Sequence, residues 1–319
     1  MSRHLVRHRT KQTMHRRATR STWLHNGTWV INGVNLINTP TLGSEILADP
    51  GIENWTNSTT PTTWTKSTAG SSTVNQETSV IHGGSNAVRV DIDSGNSSAH
   101  INVLISGSVS IGDWFMMTGW VKCSTTGKSF RFDQDATSGA TQIPSTTYAQ
   151  FYQGARRGSS DSRVFLFRAS AASSSLYFDD ISVKKLTLNT LFAVKASRAN
   201  PGYVSAAGTI TAGNPCGVVY GLDSYSSPAT FLIAYHDGIS TLSFVKCVSG
   251  TYTSLISTGV TYVSGQLPQI RWTGSTTYQL WYNGSQRGSN QTVSDAGTGI
   301  YHGVFSASPL NTITAFLAQ

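Results

Sequence analysis

The sequence predicts an all-β protein: two tandem jelly-roll β-sandwiches with a basic N-terminal arm. Three observations predict it. First, apolar residues recur at every second position in short runs. Val88, Val90 and Ile92 share one face while Arg89, Asp91 and Asp93 share the other, and Phe130 and Phe132 alternate with Arg131 and Asp133. Second, turn clusters such as Ser94-Gly95-Asn96-Ser97-Ser98 and Ser124-Thr125-Thr126-Gly127 separate the runs, and no window sustains helical periodicity. Third, only 12% of the residues are charged, while small polar residues are abundant and 12 Phe, 12 Tyr and 8 Trp remain to build cores. That balance suits strands with one solvated face. A length of 319 residues is long for one sandwich and comfortable for two.

Residues 1–42 form the arm and an entry hairpin. Arg3, Arg7, Arg9, Lys11, Arg16, Arg17 and Arg20 are the basic residues of positions 1–44, which hold no acid. The rest of the chain has 16 bases against 15 acids, so the net charge of +8 belongs to the arm and not to the folded body. Such a block seeks an acidic partner: nucleic acid, a membrane surface or an acidic protein. After Arg20 the chain reads Ser-Thr-Trp-Leu-His-Asn-Gly-Thr-Trp, which is not the apolar region of a secretion signal. Residues 1–23 share the composition of a mitochondrial transit peptide, but the body looks like no matrix enzyme. No apolar run approaches the length of a membrane span. Between Trp23 and Val34, Asn26-Gly27 and Asn32-Gly33 mark turns in a strand–turn–strand pattern. A lone hairpin is marginal in water, so it is expected to rest on the next domain or on another subunit.

Residues 43–185 are read as the first sandwich. Three phrases stand in order: Gly43-Ser44-Glu45-Ile46-Leu47-Ala48-Asp49-Pro50-Gly51-Ile52-Glu53-Asn54-Trp55, then Gly83-Gly84-Ser85-Asn86-Ala87-Val88-Arg89-Val90, then Tyr177-Phe178-Asp179-Asp180-Ile181-Ser182-Val183. This order resembles the β-sandwich carbohydrate-binding modules attached to xylanases and also found in phage tail and virion proteins. Ile52 and Asp49 depart from that family's usual aromatic and Asn. The resemblance implies binding in place of chemistry. It also implies a structural calcium near the join of the chain ends, with Glu53, Ser85 or its neighbours (through backbone oxygens) and Asp179 as the candidate ligands carried over. Hard oxygen donors from distant segments suit calcium, which would staple the first strand to the last.

Residues 186–319 are read as the second sandwich. Phe231–Tyr235 and Leu242–Val245 flank His236-Asp237-Gly238 as a hairpin, and Ile270–Trp272 with Tyr278–Gly284 forms another. The phrase Tyr278-Gln279-Leu280-Trp281-Tyr282-Asn283-Gly284 resembles a stretch of laminin-G-like, concanavalin-type sandwiches. Trp281 faces away from Leu280 and Tyr282; Trp272 and Trp281 are read as either a binding platform or core, with core the favoured reading.

Cys123, Cys216 and Cys247 are odd in number and contain no CxxC spacing, which argues against a disulfide framework or zinc site and for small buried residues in strands. No HExxH, GxSxG, P-loop or GxGxxG occurs, so the protein is not expected to be an enzyme. Asp91 and Asp93 share a strand face roughly 7 Å apart, but acids on a solvent face are usually just solvated. Sugar binding needs aromatic rings beside polar groups. In Asp113–Cys123 one face carries Trp114, Met116, Thr118, Trp120 and Lys122, and the other, more core-like, carries Phe115, Met117, Val121 and Cys123. Trp114, Trp120, Arg131 and Tyr148 are therefore the candidate carbohydrate-binding residues.

The expectation that follows is a non-enzymatic virion structural protein, placed as capsid decoration, head fibre or tail component. Its arm would anchor it to other virion proteins and its sandwiches would meet host-surface glycans, in multiple copies. Apart from the calcium that the resemblance implies, no cofactor is expected. A free carbohydrate-binding protein and a capsid protein with a nucleic-acid-binding arm are the alternatives.

Overall fold

The computed structural model describes residues 23–92, 99–105, 109–134, 139, 141–158, 164–169, 174–197 and 199–319. The seven basic arm residues and Asp93 lie outside that set. The fold is all-β, and the only helical element among the described residues is a short 3-10 turn, Leu188–Leu191.

The first sandwich pairs two antiparallel sheets. One runs Ala149–Arg156, Trp114–Cys123, Ser174–Leu186, Ala87–Ile92, Thr73–Glu77, with Leu42–Glu45 paired to the far end of Ser174–Leu186. The other runs Phe130–Gln134, Val164–Ala169, His100–Leu104, Thr65–Ser67. The alternation read from the sequence is realised: Val88, Val90 and Ile92 are buried while Arg89 and Asp91 stay half-buried on the outer face. Phe115, Met117, Val121 and Cys123 enter the core as expected. Phe130 sits at its centre, edge-on to Phe132, Phe151 and Phe178 at centroid distances of 5.2, 4.8 and 5.7 Å. Such tilted pairs suit the ring quadrupole.

The second sandwich stacks two seven-stranded sheets, and here the domain boundary is corrected. Leu24–His25 pairs with Phe192–Ala196 at the edge of one sheet. The hairpin Trp29–Asn32 and Asn35–Asn38 joins Thr312–Ala318 at the edge of the other. Residues 23–41 thus belong with 186–319, and not with a separate arm or with the neighbouring domain in sequence. The cause is burial. Trp23, Trp29 and Leu36 close the second core beside Cys216, Val304 and Ile313. Trp29 Nε1 donates to the Thr190 carbonyl (3.1 Å), and buried Asn38 Nδ2 donates to that of Ser306 (2.7 Å). Each fully buried large side chain contributes about 2–3 kcal/mol, which the hairpin obtains only from this core.

The two sandwiches share a continuous junction. Two antiparallel chain segments cross it side by side, with Leu42 opposite Leu186 and the Thr187 amide donating to the Thr41 carbonyl at 3.0 Å. Trp114 and Met116 of the first sandwich enter one apolar cluster with Phe192, Val219, Ile233 and Phe305 of the second. Asn214 clasps the facing strand, donating to the Tyr152 carbonyl (3.1 Å) and accepting from the Gly154 amide (3.2 Å). Gly154 has no room for a side chain that would not press on Ala307 and Pro215. All three cysteines are free and buried, and burial pushes the Cys216 thiol up to about 12 and Cys247 up to about 11.

Candidate binding face of the first sandwich

The strand Trp114–Cys123 carries both a junction and an exposed face. Its first half is covered by the second sandwich, so Trp114 is 2% exposed and lies against Phe305 (4.8 Å) and Tyr235 (5.4 Å). Trp114 is therefore corrected from binding face to interdomain core. The alternation was read rightly, but a second domain covers that face where the sequence left it open.

Past Thr118 the strand emerges. Trp120 is half-buried, opposite Gln150 on one neighbour and Asp179 on the other. The His82 imidazole lies flat on its indole, with centroids 3.9 Å apart and planes within 14°. Tyr148 meets His82 edge-on at 5.6 Å and donates its hydroxyl to the Val80 carbonyl at 2.9 Å. Burial, and then the neighbouring Asp179 and Glu77 carboxylates, hold that hydroxyl well above the ordinary tyrosine range. Lys122 Nζ lies 5.7 Å from the Tyr148 ring and 5.6 Å from that of Tyr177. Asp180 Oδ2, 2.7 Å from His82 Nδ1, fixes the imidazole. The structure thus brings Trp120 and Tyr148 together and adds His82, Lys122 and Tyr177.

Arg131 does not join them. It lies in Phe130–Gln134 of the opposite sheet and pairs with buried Asp133 at 3.3 Å. Period two told which side of its strand Arg131 occupies, not which sheet that strand enters. His82 was missed because its partners are 38 and 98 positions away. Its sequence signal was only the following Gly83-Gly84, a mark of a tight loop. Asp91 holds Arg89 at 2.9 Å and accepts from Ser175 Oγ at 2.6 Å, a structural pairing.

Glu53, Ser85 and Asp179 do converge on one loop, His82–Asn86. There both Glu53 carboxylate oxygens accept the Ser85 amide at 3.1 Å. Asp179, fully buried, accepts the amides of His82 (2.6 Å), Gly83 (3.1 Å) and Asp180 (2.8 Å). Burial pushes the Asp179 carboxyl above the usual range while those three bonds pull it down. The loop presents N–H donors to the carboxylates, where a calcium cage needs converging oxygens. Among the described residues no group of three or more His, Cys, Asp or Glu is placed to share a metal. As arranged, the donors do not fit a cation; the carboxylates themselves tie the loop to the segment before Trp55 and to the last strand, Ser174–Leu186.

No protein-family model matches the chain, nor does any curated protein. Solved structures of similar fold include the xylan-binding CBM22-1 domain of Paenibacillus barcinonensis, at 10% identity and a TM-score of 0.37, covering 47% of this chain and 97% of that one. The tandem CBM22-1–CBM22-2 pair from the same organism matches at 11% identity and 0.37, covering 87% of this chain and 98% of that one. The enzymatically active domain of bacteriophage CBA120 tailspike protein 4 matches at 16% and 0.32, covering 44% of this chain but 21% of that one. These neighbours are mostly carbohydrate-binding-module sandwiches, and the likeness is one of fold alone. No helix among the described residues is long and apolar enough to cross a membrane.

Proposed function

We propose that the chain is a glycan-binding protein that works by adhesion and not by catalysis, with the outer face around Trp120 as its first contact surface. The observation that carries this is the assembly of Trp120, His82 and Tyr148 from three separate segments into one partly exposed aromatic surface. Gln150, Lys122 and Asp180 surround it with donors and acceptors for sugar hydroxyls. A pyranose offers an apolar ring face to aromatics and hydroxyls to a polar rim, which is the pairing this surface matches. The test is a glycan array probed with the full chain, followed by titration of the best ligand. Trp120→Ala is expected to weaken binding about tenfold. A blank array, or an unchanged Trp120→Ala titration, removes the proposal.

The placement on a virion is the finer part of this proposal. It is supported by the acid-free arm with its seven bases, which suits an acidic docking socket. Deletion of residues 1–22 is expected to abolish incorporation into particles while sparing glycan binding. Incorporation at full occupancy would overturn the anchoring role. The nucleic-acid alternative predicts arm-dependent binding that falls steeply with salt.

A further inference from the structure

The second sandwich carries a feature that the first site does not use. On its outer face the register aligns Leu317, Ser205, Gln269, Trp281 and Gln286 in one row across five strands. Directly opposed residues share a face, and strands lie about 4.8 Å apart, so the row runs roughly 19 Å. A groove of about 350 Å³ opens along it, lined by Trp281, Leu317, Ser205, Ala207 and Gln269 among others. Among the described residues no charged one lines it. Trp281, read from sequence as platform or core with core favoured, is half-buried and turned outward, away from buried Leu280 and Tyr282.

One rung along, Arg271 lies flat on Trp281, its guanidinium carbon 3.5 Å from the ring centroid. Its Nε donates to Gln269 Oε1 at 2.9 Å, and Trp281 Nε1 donates to Gln279 Oε1 at 2.9 Å. The indole is thus held by its edge and by one face. Trp281 itself lines the groove, and Arg271 sits beside it just outside the lining. Among the described residues Arg271 forms no ion pair with a carboxylate. A partly buried guanidinium without a counter-charge is costly, and a planar carboxylate is its best-matched partner.

We propose that this face binds a carboxylate-bearing saccharide of the uronic-acid class, its pyranose ring seated in the groove against Trp281 and its carboxylate taken by Arg271. The apolar lining meets the ring face, the amide and hydroxyl side chains meet its hydroxyls, and the unpaired guanidinium supplies the charge selection. This site lies in a different sandwich from Trp120 and stands or falls separately.

The experiment is calorimetric titration of the full chain with trigalacturonate and with its methyl ester, in which each carboxylate is neutralised by an added methyl group. The acid is expected to bind about tenfold or more tightly than the ester, since a charge-assisted Arg–carboxylate pair is about twice as strong as a neutral bond. Arg271→Gln is expected to erase the difference between the two ligands. Trp281→Ala is expected to weaken both, and Trp120→Ala to change neither. Equal affinity for acid and ester, no heat from either at millimolar concentration, or loss on Trp120→Ala in place of Trp281→Ala would each overturn the assignment. Should Trp281→Ala fail to fold, the ester comparison and Arg271→Gln decide the matter.

Discussion

Trp114→Ala removes an indole that is almost fully buried between the two sandwiches, in ring contact with Phe305 and Tyr235. Truncating a buried Trp to Ala costs about 3–5 kcal/mol, from lost transfer energy plus the cavity left behind. The lower part of that range applies here, about 3–4 kcal/mol, because facing sheets at a junction can close partly over the void. In a chain of this size each kcal/mol moves the melting point by about 2–3 °C, so a fall of ~6–12 °C is expected. Differential scanning calorimetry measures it directly. Because Met116, Phe192 and Phe305 share the same cluster, the loss should also loosen the two domains from each other, seen as earlier proteolysis at the junction. Glycan affinity at 20 °C should be unchanged. A melting point within about 2 °C of the parent, together with lost glycan binding, would refute the reasoning and return Trp114 to a binding face.

Three further outcomes are expected. Deleting residues 1–22 should leave the melting point in place, whereas deleting 1–41 should unfold the second sandwich, because Trp23, Trp29 and Leu36 close its core; circular dichroism melts of both truncations check this. Glu77 accepts the amides of Ser79 and Val80 and pairs with Arg89 at 3.3 Å; burial pushes its carboxyl up, but those amides and Arg89 outweigh it, and the net lies below the ordinary range. A depressed carboxyl stabilises above its unfolded pKa and loses that stability as pH falls, so Glu77→Gln should cost ~1–2 kcal/mol at pH 7 and progressively less below about pH 4, as read by urea titrations across pH. Finally, 1 mM calcium and excess chelator should give the same melting curve to within about 1 °C; a calcium-dependent rise of several degrees would show that the Glu53–Asp179 loop turns its oxygens to a cation.

Much of the fold was legible because period two is a local property. Val88, Val90, Ile92 and the face of Phe115, Met117 and Val121 went where alternation sent them. What was not legible was which surface covers which. The hairpin at Trp29 was recognised as a hairpin, but its partner strand begins at Thr312, and nothing near it in sequence marks that pairing. Trp114 and Trp120 occupy the same face of one strand, six residues apart, yet one is sealed by a second domain and the other is open. Trp281 reads from sequence as facing away from Leu280 and Tyr282, and the burial of those two confirms the direction. The choice between platform and core leans to core because large aromatics usually go there, but its half-buried state favours the platform. At the carboxylate loop Glu53, Ser85 and Asp179 do lie together, but the backbone amides that the carboxylates accept carry no signature in the amino-acid string.

Because residues 23–41 and 186–319 build one sandwich, the intervening domain is an excursion from within it. The strands that meet at Leu42 and Leu186 are 144 residues apart along the chain (186 − 42). Closing so long a loop from an unfolded chain costs about 4 kcal/mol in entropy. Once the first sandwich has folded, its own last strand holds Leu42 beside Leu186, and that cost has already been met. The inserted domain thereby acts as an internal template: it brings the entry strands to the edges they complete. Damage to its core should slow formation of both domains, whereas damage confined to the second core should leave the first able to fold.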